Sequence, residues 1–160
     1  MLIRPIRPDD EPLMVKFHGT LSDRTVYLRY FTSLSYSRRT AHDRLLRICT
    51  IDYQQEMVLV AEHKDPQTTE PEILGVGRLN RLTERNEAEV AVLISDKYQH
   101  QGLGTELVRR LIQIAREQKI ASLVGEILRD NLAMQKMLKS LGFRLHSIDD
   151  PGSLEAVLEL

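Results

Sequence analysis

A single cysteine, Cys49, stands alone in 160 residues, so no intrachain disulfide can form. Charge of either sign is nearly cancelled, 22 basic against 23 acidic side chains, and the formal net charge of -1 supplies no field for gripping nucleic acid or an anionic membrane. No apolar run approaches the ~20 residues that span a bilayer, and Met1-Leu2-Ile3-Arg4-Pro5 lacks the long apolar core of a secretory signal. His18, His42, His63, His100 and His146 are scattered without metal-ligand spacing, so no metal is expected. No repeat, low-complexity tract or linker interrupts the chain. These absences point to a cytoplasmic protein with neither nucleic-acid nor membrane partner. The 42% hydrophobic content suits one globular domain over residues 1–160.

What is present alternates strands and helices. Leu2–Arg7 reads as an edge strand, because prolines are tolerated there and not in a sheet centre. Asp9 or Asp10 can cap a helix carrying Leu13, Met14 and Phe17 on one side. Ser22 and Thr25 open a second helix, in which Tyr27, Tyr30 and Phe31 are expected to anchor to the core. Residues 37–50 read as a third helix with Ala41, Leu45 and Ile48 inward, a solvated Arg38-Arg39 at its start and Cys49 as a buried thiol. Met57–Ala61 and Ile73–Leu79 form strands of an antiparallel hairpin, and residues 86–94 supply another. Leu103–Lys119 is a strongly amphipathic helix with Leu107, Leu111, Ile114 and Ala115 inward. Strand 122–128, helix 132–141 and strands 143–146 and 155–160 complete an α/β chain with a mixed sheet.

The most informative stretch is Gln99-His100-Gln101-Gly102-Leu103-Gly104, running into Thr105. It lies between an apolar strand and the long helix. The first N–H groups of a helix have no intrahelical partner, and the helix dipole adds positive potential there. Glycine lets the main chain approach a phosphate with no Cβ in the way. Gln-x-x-Gly-x-Gly is neither Gly-x-Gly-x-x-Gly nor a loop ending in Gly-Lys-Ser/Thr, so dinucleotide and triphosphatase fingerprints both fail.

This loop resembles the acyl-CoA pyrophosphate loop of the GNAT N-acetyltransferase superfamily. The order around it is similar too: strand, Gln99–Gly104 turn, long helix, strand, then Asn131 leading to Leu141-Gly142-Phe143. The resemblance implies a mixed, mostly antiparallel sheet of about six to seven strands flanked by helices. It implies acetyl-CoA as co-substrate, with the pantetheine arm pairing to main-chain groups of Val92, Leu93 and Ile94, and Asn131 helping to hold it. The opening third, from Ile3-Arg4-Pro5 through Val26-Tyr27-Leu28-Arg29-Tyr30-Phe31, is similar to the branch holding protein lysine acetyltransferases that modify acyl-CoA synthetases. Members of that branch are often fused to a regulatory or synthetase-like module, and the resemblance leaves no length for one within these residues.

A free lysine has a pKa of ~10.4, so about one in 2,500 is neutral at pH 7 and deprotonation costs roughly 4.6 kcal/mol. A positioned base offsets part of that. Glu89 is the candidate, a carboxylate within Ala88-Glu89-Val90-Ala91-Val92, where core packing has no use for it. It lies ~17 Å of extended strand from Ile94, well away from the phosphate end. A glutamate in a matching stretch is the general base in the lysine-acetyltransferase branch. Glu87 shares its strand face and is read as solvent-facing. Many GNAT enzymes carry a tyrosine that protonates the leaving thiolate; Leu138 stands there, so the general acid is unassigned.

Acetyl-CoA-dependent acetylation of a protein Nε-lysine, by direct transfer in a ternary complex, is therefore the expected function, with an acyl-CoA synthetase as a possible acceptor. A small-amine acetyltransferase and a non-catalytic acyl-CoA sensor are the alternatives.

Overall fold

The computed structural model describes all 160 residues. Its seven strands are β1 (Leu2–Pro5), β2 (Glu56–Lys64), β3 (Pro71–Arg81), β4 (Glu87–Ile94), β5 (Ser122–Leu128), β6 (Arg144–Ser147) and β7 (Ser153–Glu159). They form one sheet in the order β1-β2-β3-β4-β5-β7-β6. Every neighbouring pair is antiparallel except β4 and β5, so the sheet is mixed and mostly antiparallel, as expected. β1 is an edge, where Pro5 removes no ladder donor from a sheet centre.

Alternation along the strands divides the core into two layers. Leu59, Ala61, Leu79, Ala88, Val90 and Val92 face one side and meet α5 (Leu103–Glu117). That helix buries Leu103, Leu107, Leu111 and Ala115, a stripe of four-residue spacing. Val58, Val60, Ile73 and Leu93 face the other side and meet α1 (Glu11–His18), α2 (Asp23–Tyr30) and α4 (His42–Cys49). Glycine sets the close approach of α5 to β3. A Cβ on Gly77 would lie 3.2 Å from Leu111 Cδ1 and 3.3 Å from Leu107 Cβ. No helix is long and apolar enough to cross a membrane.

The expected helix over residues 37–50 is two helices, α3 (Tyr36–Arg39) and α4. Thr40 Oγ1 donates to Tyr36 O, and Ala41 turns to ψ 135°, which ends one helix and caps the next. Arg39 is not solvated. It is 5% exposed, with Nε donating to Leu34 O at 3.0 Å and Nη1 to His18 O at 2.9 Å. Asp10 occupies the N-cap position of α1 without capping it. Its carboxylate instead takes two hydrogen bonds from Arg4, at 2.7 and 2.8 Å, and one from the Arg7 N–H. Tyr30 packs against the core, whereas Tyr27 and Phe31 are exposed, because Phe31 ends α2 in the left-handed region at φ 64°. Cys49 is a buried thiol, and burial, then the nearby Asp10, Glu11 and Asp9 carboxylates, push it up to about 11. Asn131 precedes α6 (Leu132–Ser140), accepting from Met134 N at 3.2 Å.

Candidate active site

β4 and β5 pair only over Glu87–Glu89 and Ser122–Val124. Each strand is then held on its outer side along its length, β4 by β3 through Ile94 and β5 by β7 through Leu128. The two halves of the sheet therefore diverge as rigid units, and from Val90 onward the β5-facing edge of β4 has no ladder partner. A cleft of about 860 Å³ fills the gap. Val92, Leu93 and Ile94 line one wall and Ile127, Asn131, Met134 and Met137 the other. Asn131 uses Oδ1 on Met134 N, which leaves its Nδ2 free beside the cleft.

The glycine turn closes one end. Gly102 is left-handed at φ 88°, and a Cβ there would meet nothing within 4 Å. The backbone N–H groups of Gly102, Leu103, Gly104 and Thr105 have no acceptor in the protein. They converge at the N-terminus of α5, where the dipole favours an anion. Gln99 is a brace rather than a wall of the cradle. Its Nε2 donates to Thr25 Oγ1 at 3.0 Å and Ile94 O at 3.1 Å, tying the turn to α2 and β4. Asp96 adds a second tie, accepting from Ser22 N at 3.0 Å. Burial opposes its ionisation, and the Ser22 and Thr25 hydrogen bonds outweigh burial and hold its carboxyl below the usual range.

Of the residues singled out from sequence, Glu89, Val92, Leu93, Ile94, Gln99, His100, Gly102, Gly104, Thr105 and Asn131 line this one cleft. Gln101 and Leu103 do not. Gln101 turns its amide back to Lys97 O at 3.0 Å, and Leu103 is 8% exposed in the core beneath α5. Only their main-chain groups face the cradle. Leu138 is buried at the cleft wall and carries no proton to give.

Residues 1–144 match the acetyltransferase (GNAT) domain family. The chain belongs to that family and is an acetyltransferase. This GNAT enzyme is 33% identical to acetyltransferase PA5475 of Pseudomonas aeruginosa over 144 residues, 89% of this chain and 74% of that protein. It is 28% identical to acetyltransferase Pat of Mycolicibacterium smegmatis over 140 residues, 88% of this chain but 40% of that protein. Its fold is similar to the GNAT domain of the S. lividans PAT, with a TM-score of 0.87 and 25% identity over 99% of this chain and 89% of that one.

At the end away from the cradle, the GNAT enzyme presents Glu89 exposed, on the sheet face that carries α2. Asn80 is its partner in the β3–β4 register, and Arg78 lies opposite Ala91, so both share that face. Glu87 sits one step outside the cleft, half-buried, with Arg85 at 3.8 Å. Arg29, Arg78, Asn80, Glu126 and Thr25 also line the cleft, with no motif in the sequence to mark them as site residues. Asn80 was recoverable from the hairpin register alone; Arg29 and Glu126 depend on how α2 and β5 lie against β4, which no local spacing encodes.

Proposed function

We propose that the protein transfers an acetyl group from acetyl-CoA to the Nε of a lysine on another protein, by direct attack with Glu89 as general base. The observation that carries this reading is the divergence of β4 from β5 immediately beyond Glu89, with unpartnered N–H groups at the far end of the same cleft. Gly102–Thr105 would receive the pyrophosphate, and the free edge of Val92–Ile94 and the Asn131 Nδ2 would hold the pantetheine arm. Glu89 would take the proton from the lysine ammonium. The free amine would add to the thioester carbonyl, the adduct nitrogen would give its second proton to solvent, and the C–S bond would break to release CoA as thiolate. With Leu138 apolar, that thiolate takes its proton from solvent.

A protein acceptor is supported by similarity to Pat and to the S. lividans PAT domain. Because the chain spans 40% of Pat, a fused or separate regulatory module also fits this reading. The test is acetyl-CoA turnover, followed by thiol release, against an acyl-CoA synthetase and a panel of small amines. Transfer to a synthetase lysine is expected. Glu89→Gln should lower kcat about 10²–10⁴-fold, while Glu126→Gln, the other strand carboxylate in the cleft, should stay within a few-fold. Transfer to small amines only, or equal loss in both variants, would overturn the acceptor or the base respectively.

A further inference from the structure

We propose that the acceptor carries a carboxylate beside the lysine that is acetylated, and that Arg29, backed by Arg44 and Arg78, receives that carboxylate. This rests on the lysine-transferase reading above and specifies its substrate. Thr25 and Arg29 lie four residues apart on α2 and share one side of it. Both line the cleft. Thr25 is tied to Gln99 at the cradle end, and Arg29 sits one turn farther along, close enough to Glu89 to feel its charge.

Arg29 has no carboxylate within 4.0 Å; its guanidinium lies 5.0 Å from the Tyr30 ring centroid. Arg44 lies 5.2 Å from the same ring, forms no ion pair, and has a buried Nε with no acceptor. Arg78 gives Nη2 to Glu56 at 3.0 Å, yet its Nε is also buried without an acceptor. Arg29 and Arg44 thus lie against one aromatic ring, and Arg78 extends from the adjoining strand face, where Glu56 is its partner.

Arg29 is half-buried and has no fixed anion, so an acceptor carboxylate would find it unpartnered. Burial, and then the neighbouring Arg78 and Arg44 charges, pull the Arg29 pKa down against the raising influence of Tyr30 and Glu89. A carboxylate brought by the acceptor would satisfy the planar fork at two points.

The test compares lysine peptides with Asp, Ala or Lys next to the acetylated residue, and Nα-acetyl-lysine against cadaverine, which lacks the carboxylate. The expected result is a kcat/KM preference of about tenfold or more for the Asp peptide, carried by KM. Arg29→Gln should erase most of that preference without lowering the thermal midpoint. Equal or better use of the Ala or Lys peptides by the wild type would overturn the proposal. So would an Arg29→Gln variant that loses rate on every acceptor alike, since that would place Arg29 in service of Glu89 or of the fold. If only small amines are acetylated, the protein-acceptor reading fails, and Nα-acetyl-lysine against cadaverine still decides the carboxylate. If nothing is turned over, calorimetric binding of the Asp and Ala peptides to the CoA-loaded protein decides it by the same ranking.

Discussion

His18 should make the protein lose stability across a pH range in which its buried carboxylates are still silent. The imidazole is 2% exposed and packs edge-on to Phe17, with ring centroids 5.6 Å apart. Its Nδ1 lies 3.4 Å from Arg39 Nη1. Arginine can only donate, so Nδ1 accepts and the proton of the neutral ring is on Nε2. Protonation would remove that acceptor and place a second positive charge beside Arg39 and Arg44. Burial first, and then those two charges, push the His18 pKa from 6.5 to about 4. The sign follows from proton counting. Between those values the unfolded chain binds a proton that the folded chain refuses, so stability rises with pH and falls on acidification. Between about pH 7 and pH 4.5 the loss amounts to about 2.5 kcal/mol, or roughly 1.2 M in a urea midpoint for a slope near 2 kcal/mol/M. Asp10, whose folded pKa is lowered by Arg4 and Arg7 despite the opposing effect of burial, stabilises above its unfolded value of 3.8 and fails only as pH drops below that. The two contributions therefore separate. Urea titrations followed by circular dichroism, on the wild type and on His18→Gln, which keeps an acceptor for Arg39, would measure the difference. Equal slopes for the two proteins between about pH 7 and 4.5 would refute the buried neutral imidazole.

Three further outcomes follow from particular contacts. Gly102→Glu and Gly104→Glu should each abolish acetyl-CoA binding by calorimetry while the fold persists, the first through its φ of 88° and both through a negative charge at the cradle; unchanged affinity in both would remove the phosphate role from this turn. Asp10→Ala leaves Arg4, at 9% exposure, with Glu62 at 3.5 Å in place of its two-point partner and should cost about 1.5–3 kcal/mol in denaturant unfolding. Gly77→Ala forces a methyl against Leu107 Cβ and should cost about 1–3 kcal/mol, seen as a lower thermal midpoint.

The sheet and α5 were legible because their signals are local and repeated. Leu103, Leu107, Leu111 and Ala115 recur every four residues, and Met57–Ala61 and Ile73–Leu79 sit on either side of a polar turn. Glu89 stood out as a carboxylate inside an apolar run. The break at Thr40-Ala41 was not legible, since neither residue is a strong helix breaker and the hydroxyl bond to Tyr36 O is a choice among conformations. Arg38-Arg39 looked like a solvated pair, yet Arg39 is buried because the carbonyls of Leu34, between α2 and α3, and of His18, at the end of α1, are brought to it. Arg29 was hidden for a related reason. The sequence Asp23-Arg24-Thr25-Val26-Tyr27-Leu28-Arg29-Tyr30 has no clear apolar period, and which side of it faces Glu89 is decided by the ties from Thr25 and Ser22 to the Gln99 turn and Asp96.

Those ties bear on how the site is held together. The β4–β5 ladder stops at Glu89 and Val124, so the same register break that frees the edge of β4 also puts Glu89 at the apex of the divergence. Gly125, the next residue of β5, passes close enough that a Cβ there would stand 3.3 Å from Val90 O. The strands thus remain near one another just beyond the last pair, and the opening widens toward Ile94. A slip of one residue in β4 would turn Glu89 to the α5 face and move Ala88, Val90 and Val92 out of the core. The hairpin with β3 resists that slip, because Gly75 and Gly77 must lie under α5 opposite Ile94 and Val92. Small residues with no polar side chain of their own therefore set the register that exposes Glu89. Substitutions at Gly75 or Gly77 should lower activity through misplacement of that carboxylate even where the domain remains folded.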